Sequence, residues 1–157
     1  VNGIGISMGL EVIKVPGMTG YIDTNFKGKA EYALRALKKK DFIYLHIEAT
    51  DEMGHNGDPA EKIKAIELFD SQIVGPVLAG LKGFGEYRVM ITSDHATPVS
   101  LRTHTDDKVA YMIYTSPEPE GTGSAAIEKF TEKTAEEHGQ KHFATGWEMF
   151  EYFIKNN

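Results

Sequence analysis

The run Phe42-Ile-Tyr-Leu-His-Ile47 is almost unbroken in its apolar character and is closed at both ends by acids, Asp41 and Glu48. A run this short, rich in β-branched and aromatic residues, reads as a strand. Its lack of alternation suits a strand covered on both faces, as in a parallel sheet. Two further runs have the same character: Tyr87 to Thr92 (YRVMIT) and Val109 to Thr115 (VAYMIYT). Glu11 to Val15 (EVIKV) is a shorter β-rich stretch, followed by the turn formers PGMTGYIDTN at 16–25.

Helical patterns lie between the runs. Ala30, Ala33, Leu34 and Leu37 fall at helical spacing, and Lys38, Lys39 and Lys40 follow where a helix dipole favours cations. A polar loop, ATDEMGHNGD, is expected at 49–58. Asp58 then fits a helix cap, Pro59 the first helical residue, and Glu61 the third position after the cap. Ile63, Ile66, Phe69, Ile73, Val77 and Leu81 mark the expected inner face, with a kink at Pro76. After the polar loop 93–108 and the third long run come a connector (SPEPEGTGS), a charged amphipathic segment at 125–138 and a closing helix at 146–155. Its aromatics Trp147, Phe150, Tyr152 and Phe153 are expected to pack in the core. The alternation predicts an α/β domain with a mostly parallel sheet flanked by helices.

The balance of residues narrows the partners. The chain has 157 residues, enough for one domain with its own core, and a net charge of −6. No basic segment invites nucleic acid or an anionic membrane surface. No apolar run approaches the length of a membrane span. The absence of cysteine excludes disulfides and thiolate ligands, and fits the cytoplasm. The chain opens Val-Asn-Gly-Ile-Gly without methionine, the start expected of a processed product or of a piece of a longer polypeptide.

In open α/β sheets, functional loops gather at the carboxyl ends of strands. Asp51 and His55 follow the first long run; Asp94 and His95 follow the second, and His104 comes nine residues later. Two carboxylates and three imidazoles offer an oxygen and nitrogen site for zinc, manganese or a related divalent ion. Asp51 and His55 share a face if this stretch is helical, and otherwise meet through a turn at Gly54. Asp94 and His95 point apart in an extended chain, and so serve two metals, or one metal from an irregular loop. Ordinary solvated loops account for each spacing equally well. His46, inside an apolar run, fits a packing role; His138 and His142 fit the surface. Arg102 lies between two candidate ligands, where its planar fork can meet a phosphate or carboxylate or simply solvent.

Taken together, HIEATDEMGHNGD, TSDHATP and RTHT resemble the C-terminal part of the cofactor-independent phosphoglycerate mutases. The resemblance is to the archaeal-type branch, in the alkaline phosphatase superfamily. GIGISMGLEVIKVPGMTGYIDTNFKGKA is similar to that branch as well, so essentially the whole chain is covered. The resemblance implies an alkaline-phosphatase-like fold and two divalent metals, manganese or zinc. It implies that Asp51, His55 and His104 hold one metal, and that Asp94 and His95 help to hold the other. It also implies a small phosphorylated substrate, with a serine nucleophile passing a phosphoryl group between the hydroxyls of glycerate.

The family's N-terminal Asp-Gly segment and its serine have no counterpart in these 157 residues. Residues 1–157 are therefore expected to be the C-terminal section of a phosphoryl-transfer catalytic domain, inactive alone for want of its nucleophile. Three departures stand out: ATDE where a proline usually precedes the aspartate, GMTG in place of GATG, and TDDKVA after His104 in place of D-P-V-P. The last bears on the substrate. Homoserine kinase-like transfer, phosphopentomutase or phosphatase chemistry, and a non-catalytic metal-binding domain are the alternatives. A buried sheet without its N-terminal strands would leave an open edge, which predicts self-association.

Overall fold

The computed structural model describes residues 1–117, 129–139 and 141–155. They fall into two units. One comprises Val1–Gly83 with Thr97–His104; the other comprises Phe84–Ala96 with Thr105–Asn157.

The first unit begins with α1 (Asn2–Ser7), a short exposed helix that its glycine-rich sequence did not predict. The expected turns follow. Asn25 then starts α2 (Phe26–Leu37): its Oδ1 accepts the Gly28 N–H at 2.9 Å, and its Nδ2 donates to the Pro16 carbonyl at 2.9 Å. The anticipated small residues, Ala30 and Ala33, are on the buried face.

Phe42 to Ile47 follows without regular secondary structure, with Leu45 and Ile47 packed on the core. It forms no strand, and the first unit contains none among its described residues; the same holds for 11–15. An apolar run can predict extension, but a strand also needs a neighbour to complete its hydrogen bonds.

The expected loop at 49–58 is mostly a helix, α3 (Ala49–Asn56). Ala49 and Met53 lie one turn apart, and both are buried. Gly57 ends the helix in the left-handed region (φ 71°), a conformation costly for any residue with a Cβ. Asp58 then caps α4 (Pro59–Phe69), accepting the Ala60 and Glu61 N–H groups at 3.0 Å each. A π-helical turn at Asp70–Val74 separates α4 from α5 (Gly75–Leu81). The helical stretch is unbroken from Pro59 to Leu81, so the N–H that Pro76 lacks is missed by a carbonyl of the preceding turn, and the π-helical irregularity lies directly before the proline. The inner row is Ala65, Phe69, Ile73, Val77 and Leu81, each four residues on. Ile63 and Ile66, expected on that face, are 58% and 51% exposed because they lie off this row. The core joins Ala65 and Ile73 to Phe26, Ala30, Ala49 and Met53.

In the second unit the two expected strands appear as β1 (Tyr87–Thr92) and β2 (Tyr111–Ser116). They pair antiparallel, with Tyr87 opposite Ser116 and Thr92 opposite Tyr111. The mostly parallel sheet is therefore not what the described residues form. The connection between the strands contains no helix, and parallel neighbours are ordinarily joined by a helical crossover. Helices α6 (Glu132–His138) and α7 (Gly146–Lys155) follow. Residues 118–128, which hold most of the connector and the start of the charged segment, lie outside the described residues.

Arg88 on β1 reaches α7: its Nη1 donates to the Phe153 carbonyl at 2.8 Å, and its Nε to Thr115 Oγ1 at 3.1 Å. Tyr152 and Phe153 are half-buried, but Trp147 is 66% exposed and Phe150 is also on the outer side. The helix turns Met149, Tyr152 and Phe153 inward on one face, leaving Trp147, Phe150 and Ile154 on the other.

Candidate metal centre

Asp51 and His55 sit four residues apart on α3, so their side chains emerge on the same face one turn apart. His55 Nε2 is 3.4 Å from Asp51 Oδ2. The third member arrives from residues 97–104. His104 Nε2 lies 3.5 Å from Asp51 Oδ1 and 3.0 Å from His55 Nε2. Among the described residues, these three present ligand atoms that all fall within 4.8 Å of one another.

The spacing can be compared with what an ion requires. Two donors about 2.0–2.1 Å from a tetrahedral metal lie about 3.3 Å apart. His55 Nε2 lies 3.0 Å from His104 Nε2 and 3.4 Å from Asp51 Oδ2, on either side of that value, while the 3.5 Å approach of His104 is to the other oxygen, Oδ1; with one atom taken from each residue, all three stay within 4.8 Å. The donor types, two imidazoles and a carboxylate, suit zinc and related divalent ions. The residues fit such a group.

The orientation of His55 is fixed from behind. Its Nδ1 is 3.0 Å from the Arg102 carbonyl. A carbonyl only accepts, so Nδ1 carries the proton and Nε2 is the nitrogen turned toward Asp51 and His104. Arg102 supplies this carbonyl from a left-handed backbone conformation (φ 55°), rare for a residue with a Cβ. Its guanidinium lies against Gly57, where a Cβ would stand 2.2 Å from Nε. Thus Arg102 meets His55 through its main chain, a contact that its side-chain chemistry did not suggest.

Asp51 is held as well. The Thr97 hydroxyl donates to Asp51 Oδ1, and Lys62 Nζ donates to the Thr97 carbonyl at 2.6 Å. Sequence reasoning missed both residues. A threonine after Asp-His-Ala and a lysine within a helix carry no signal of their own.

Asp94 and His95 belong to the second unit and stand outside the three-residue group. They lie in a bend after β1 rather than in extended chain, so their side chains face one another, with Nε2 and Oδ2 3.5 Å apart. Of the two arrangements open to the pair, this is the irregular loop. His46 stacks on Tyr44 with centroids 6.4 Å apart and 16° between planes, as side chains two apart do in an extended segment. His138 and His142 are exposed.

A family model described as the metalloenzyme superfamily matches residues 2–144. The chain belongs to this superfamily. Its relatives within the superfamily include a probable 2,3-bisphosphoglycerate-independent phosphoglycerate mutase of Geobacter sulfurreducens, 49% identical over 135 residues. That match covers 86% of this chain and 34% of the relative. A 2,3-bisphosphoglycerate-independent phosphoglycerate mutase of Methanothrix thermoacetophila is 47% identical over 140 residues, covering 88% of this chain and 35% of the relative. A solved structure of a protein from Pyrococcus horikoshii matches with a TM-score of 0.76 and 32% identity, over 87% of this chain and 40% of the other. The chain thus spans about a third of the length of the curated relatives it matches. Among the described residues, no helix of this superfamily member is long and apolar enough to cross a membrane.

Proposed function

We propose that this chain is the C-terminal, metal-binding section of a cofactor-independent phosphoglycerate mutase. The full enzyme interconverts 3-phosphoglycerate and 2-phosphoglycerate through a phosphoserine, with two divalent metals, manganese or zinc. The observation that carries the reading is the close convergence of Asp51, His55 and His104 in a chain so similar to mutases of that name.

Asp51, His55 and His104 hold one ion, and Asp94 and His95 contribute to the second. When bound, the ions supply positive charge that stabilises a phosphoryl group in transfer and lowers the pKa of an oxygen nucleophile. The chain's own residues do the rest here. The Arg102 carbonyl keeps the proton on His55 Nδ1, so that Nε2 faces the ion. The guanidinium of Arg102, exposed beside Gly57, meets a substrate phosphate or carboxylate in this reading, which its planar fork supports. The serine nucleophile comes from outside these residues, so residues 1–157 alone have no mutase activity. The mostly parallel sheet belongs to the larger catalytic domain in the cytoplasm, where the apolar segment 42–47 finds its strand partners. In their absence that segment promotes self-association of the chain, which a strictly monomeric sedimentation profile at high concentration would refute.

The test is made in the full-length enzyme. His55→Ala and His104→Ala should each lower kcat at least about 100-fold in metal-limited buffer, because each removes a ligand orienting the charge that stabilises transfer. Wild-type turnover in either variant would refute the assignment. A substrate panel that turned over homoserine or a pentose phosphate in preference to phosphoglycerate would refute the named reaction and leave the metal site standing.

A further inference from the structure

Residues 97–104 deliver His104, yet they belong to no helix or strand of the unit they join. Something has to hold such a segment if a ligand at its end is to stay in register. The structure fastens it at two points. Near its end, the Arg102 carbonyl meets His55 Nδ1. At its start, Thr97 is only 5% exposed, and both its polar ends are engaged with neighbouring helices. Its hydroxyl donates to Asp51 on α3, and its carbonyl accepts from Lys62 on α4 at 2.6 Å. Between the fastenings the chain makes a tight turn, with the Leu101 and Arg102 N–H groups both on the Pro98 carbonyl, at 3.0 and 2.9 Å.

We propose that Thr97 and Lys62 are positioning residues for the metal centre. The proposal rests on the reading of Asp51, His55 and His104 as ligands. A carboxylate can turn about its last bond and offer either oxygen to an ion. The Thr97 hydroxyl, held on Oδ1, fixes that rotation and leaves Oδ2 turned toward His55. Hydrogen bonds from behind a ligand tune affinity in this way. Lys62 acts through Thr97: an ammonium on the carbonyl pins the main chain, and with it the hydroxyl and the start of the segment that ends in His104. A lysine suits the task because its several donors and flexible stem can reach a carbonyl on another element.

The experiment titrates the metal-free 157-residue chain with Zn2+ alone, by calorimetry, with thermal melts of the metal-free protein alongside. Thr97→Val keeps the shape and removes the hydroxyl. It should weaken Zn2+ binding by about 10- to 100-fold, the usual effect of losing a hydrogen bond behind a ligand, and move the metal-free melting temperature little. Thr97→Ser should restore affinity to within about threefold of wild type, and Lys62→Met should weaken it by about three- to tenfold. If Thr97→Val fails to fold, Lys62→Met and Thr97→Ser carry the test. His104→Ala separates the two readings. If it abolishes Zn2+ binding while Thr97→Val and Lys62→Met bind as wild type does, the positioning role is wrong and the site stands. If Thr97→Ser binds no better than Thr97→Val, volume rather than the hydroxyl matters, and the role is again wrong. If His104→Ala binds as the wild type does, the site is misassigned and the positioning role falls with it.

Discussion

Gly54 should be intolerant of a single methyl group. It lies inside α3, where glycine is a poor choice by propensity, between the proposed ligands Asp51 and His55. A Cβ built there would stand 2.5 Å from the Thr97 carbonyl oxygen, 2.9 Å from Thr97 Cγ2 and 3.0 Å from Lys62 Nζ. To reach ordinary contact at 3.4 Å, the Thr97 main chain would have to retreat by about 0.9 Å. That movement draws the Thr97 hydroxyl away from Asp51 and shifts the segment that carries His104. Overpacking of this kind costs about 1–3 kcal/mol, while replacing a mid-helix glycine with alanine returns about 1 kcal/mol. The net loss is about 0–2 kcal/mol, equivalent to a fall in melting temperature of up to about 8 °C for a chain of this length. The decisive reading is Zn2+ affinity, which should drop by about tenfold or more in Gly54→Ala as the fastening behind Asp51 loosens. Melting by circular dichroism and titration by calorimetry measure the two effects on the same samples. A variant that melted above the wild type and bound Zn2+ equally well would show that the close approach of Thr97 to α3 is not required.

Asp58→Ala removes an oxygen that accepts two backbone N–H groups at the start of α4, and should cost about 1 kcal/mol in thermal or denaturant unfolding. An unchanged midpoint would refute the capping role. Burial pushes the pKa of Lys29 down, partly opposed by Glu48. Between that lowered value and the unfolded value of about 10.4, the unfolded chain holds a proton the folded chain has released, so stability attributable to Lys29 rises with pH through this window. Lys29→Met should flatten the rise, which comparison of urea midpoints across the alkaline range would detect; parallel profiles would refute it.

Local signals were legible and long-range ones were not. The small residues of α2, the Asp58-Pro59 start of α4 and the last two of the four β-rich runs appear where side-chain pattern alone put them. Each depends on a few consecutive residues. The failures share a physical cause. Phe42 to Ile47 has the composition of a strand but forms none, because a strand is a relation between two segments, and no local pattern supplies the second. The direction of the β1–β2 pair likewise depends on how the chain returns. Helix α3 was hidden by its own chemistry: Asp51, Glu52, His55 and Asn56 made it read as a polar loop, although Ala49 and Met53 are one turn apart. The candidate site divides in the same way. Asp51 and His55 were legible as a pair because four residues make one helical turn. Thr97 and Lys62 were not, because their meeting depends on where residues 97–104 return.

That division carries an energetic consequence. Two of the proposed ligands come with α3 and are near one another whenever that helix is formed. The third is 49 residues beyond His55 and must be brought back by a segment without regular structure of its own. Ion binding and docking of residues 97–104 are therefore linked: whatever factor the docked segment adds to affinity, the ion returns to docking. A free ion at 100 times its Kd stabilises the state that binds it by about 2.7 kcal/mol, comparable to several of the hydrogen bonds that fasten the segment. The fastenings at Thr97 and Arg102 reduce how much of that the ion must provide. A backbone conformation as unfavourable as that of Arg102, with φ of 55°, is retained where the surrounding contacts over-determine it. Here those contacts are the carbonyl bond to His55 and the packing against Gly57, which together hold the segment of the third proposed ligand against a helix that already carries the other two.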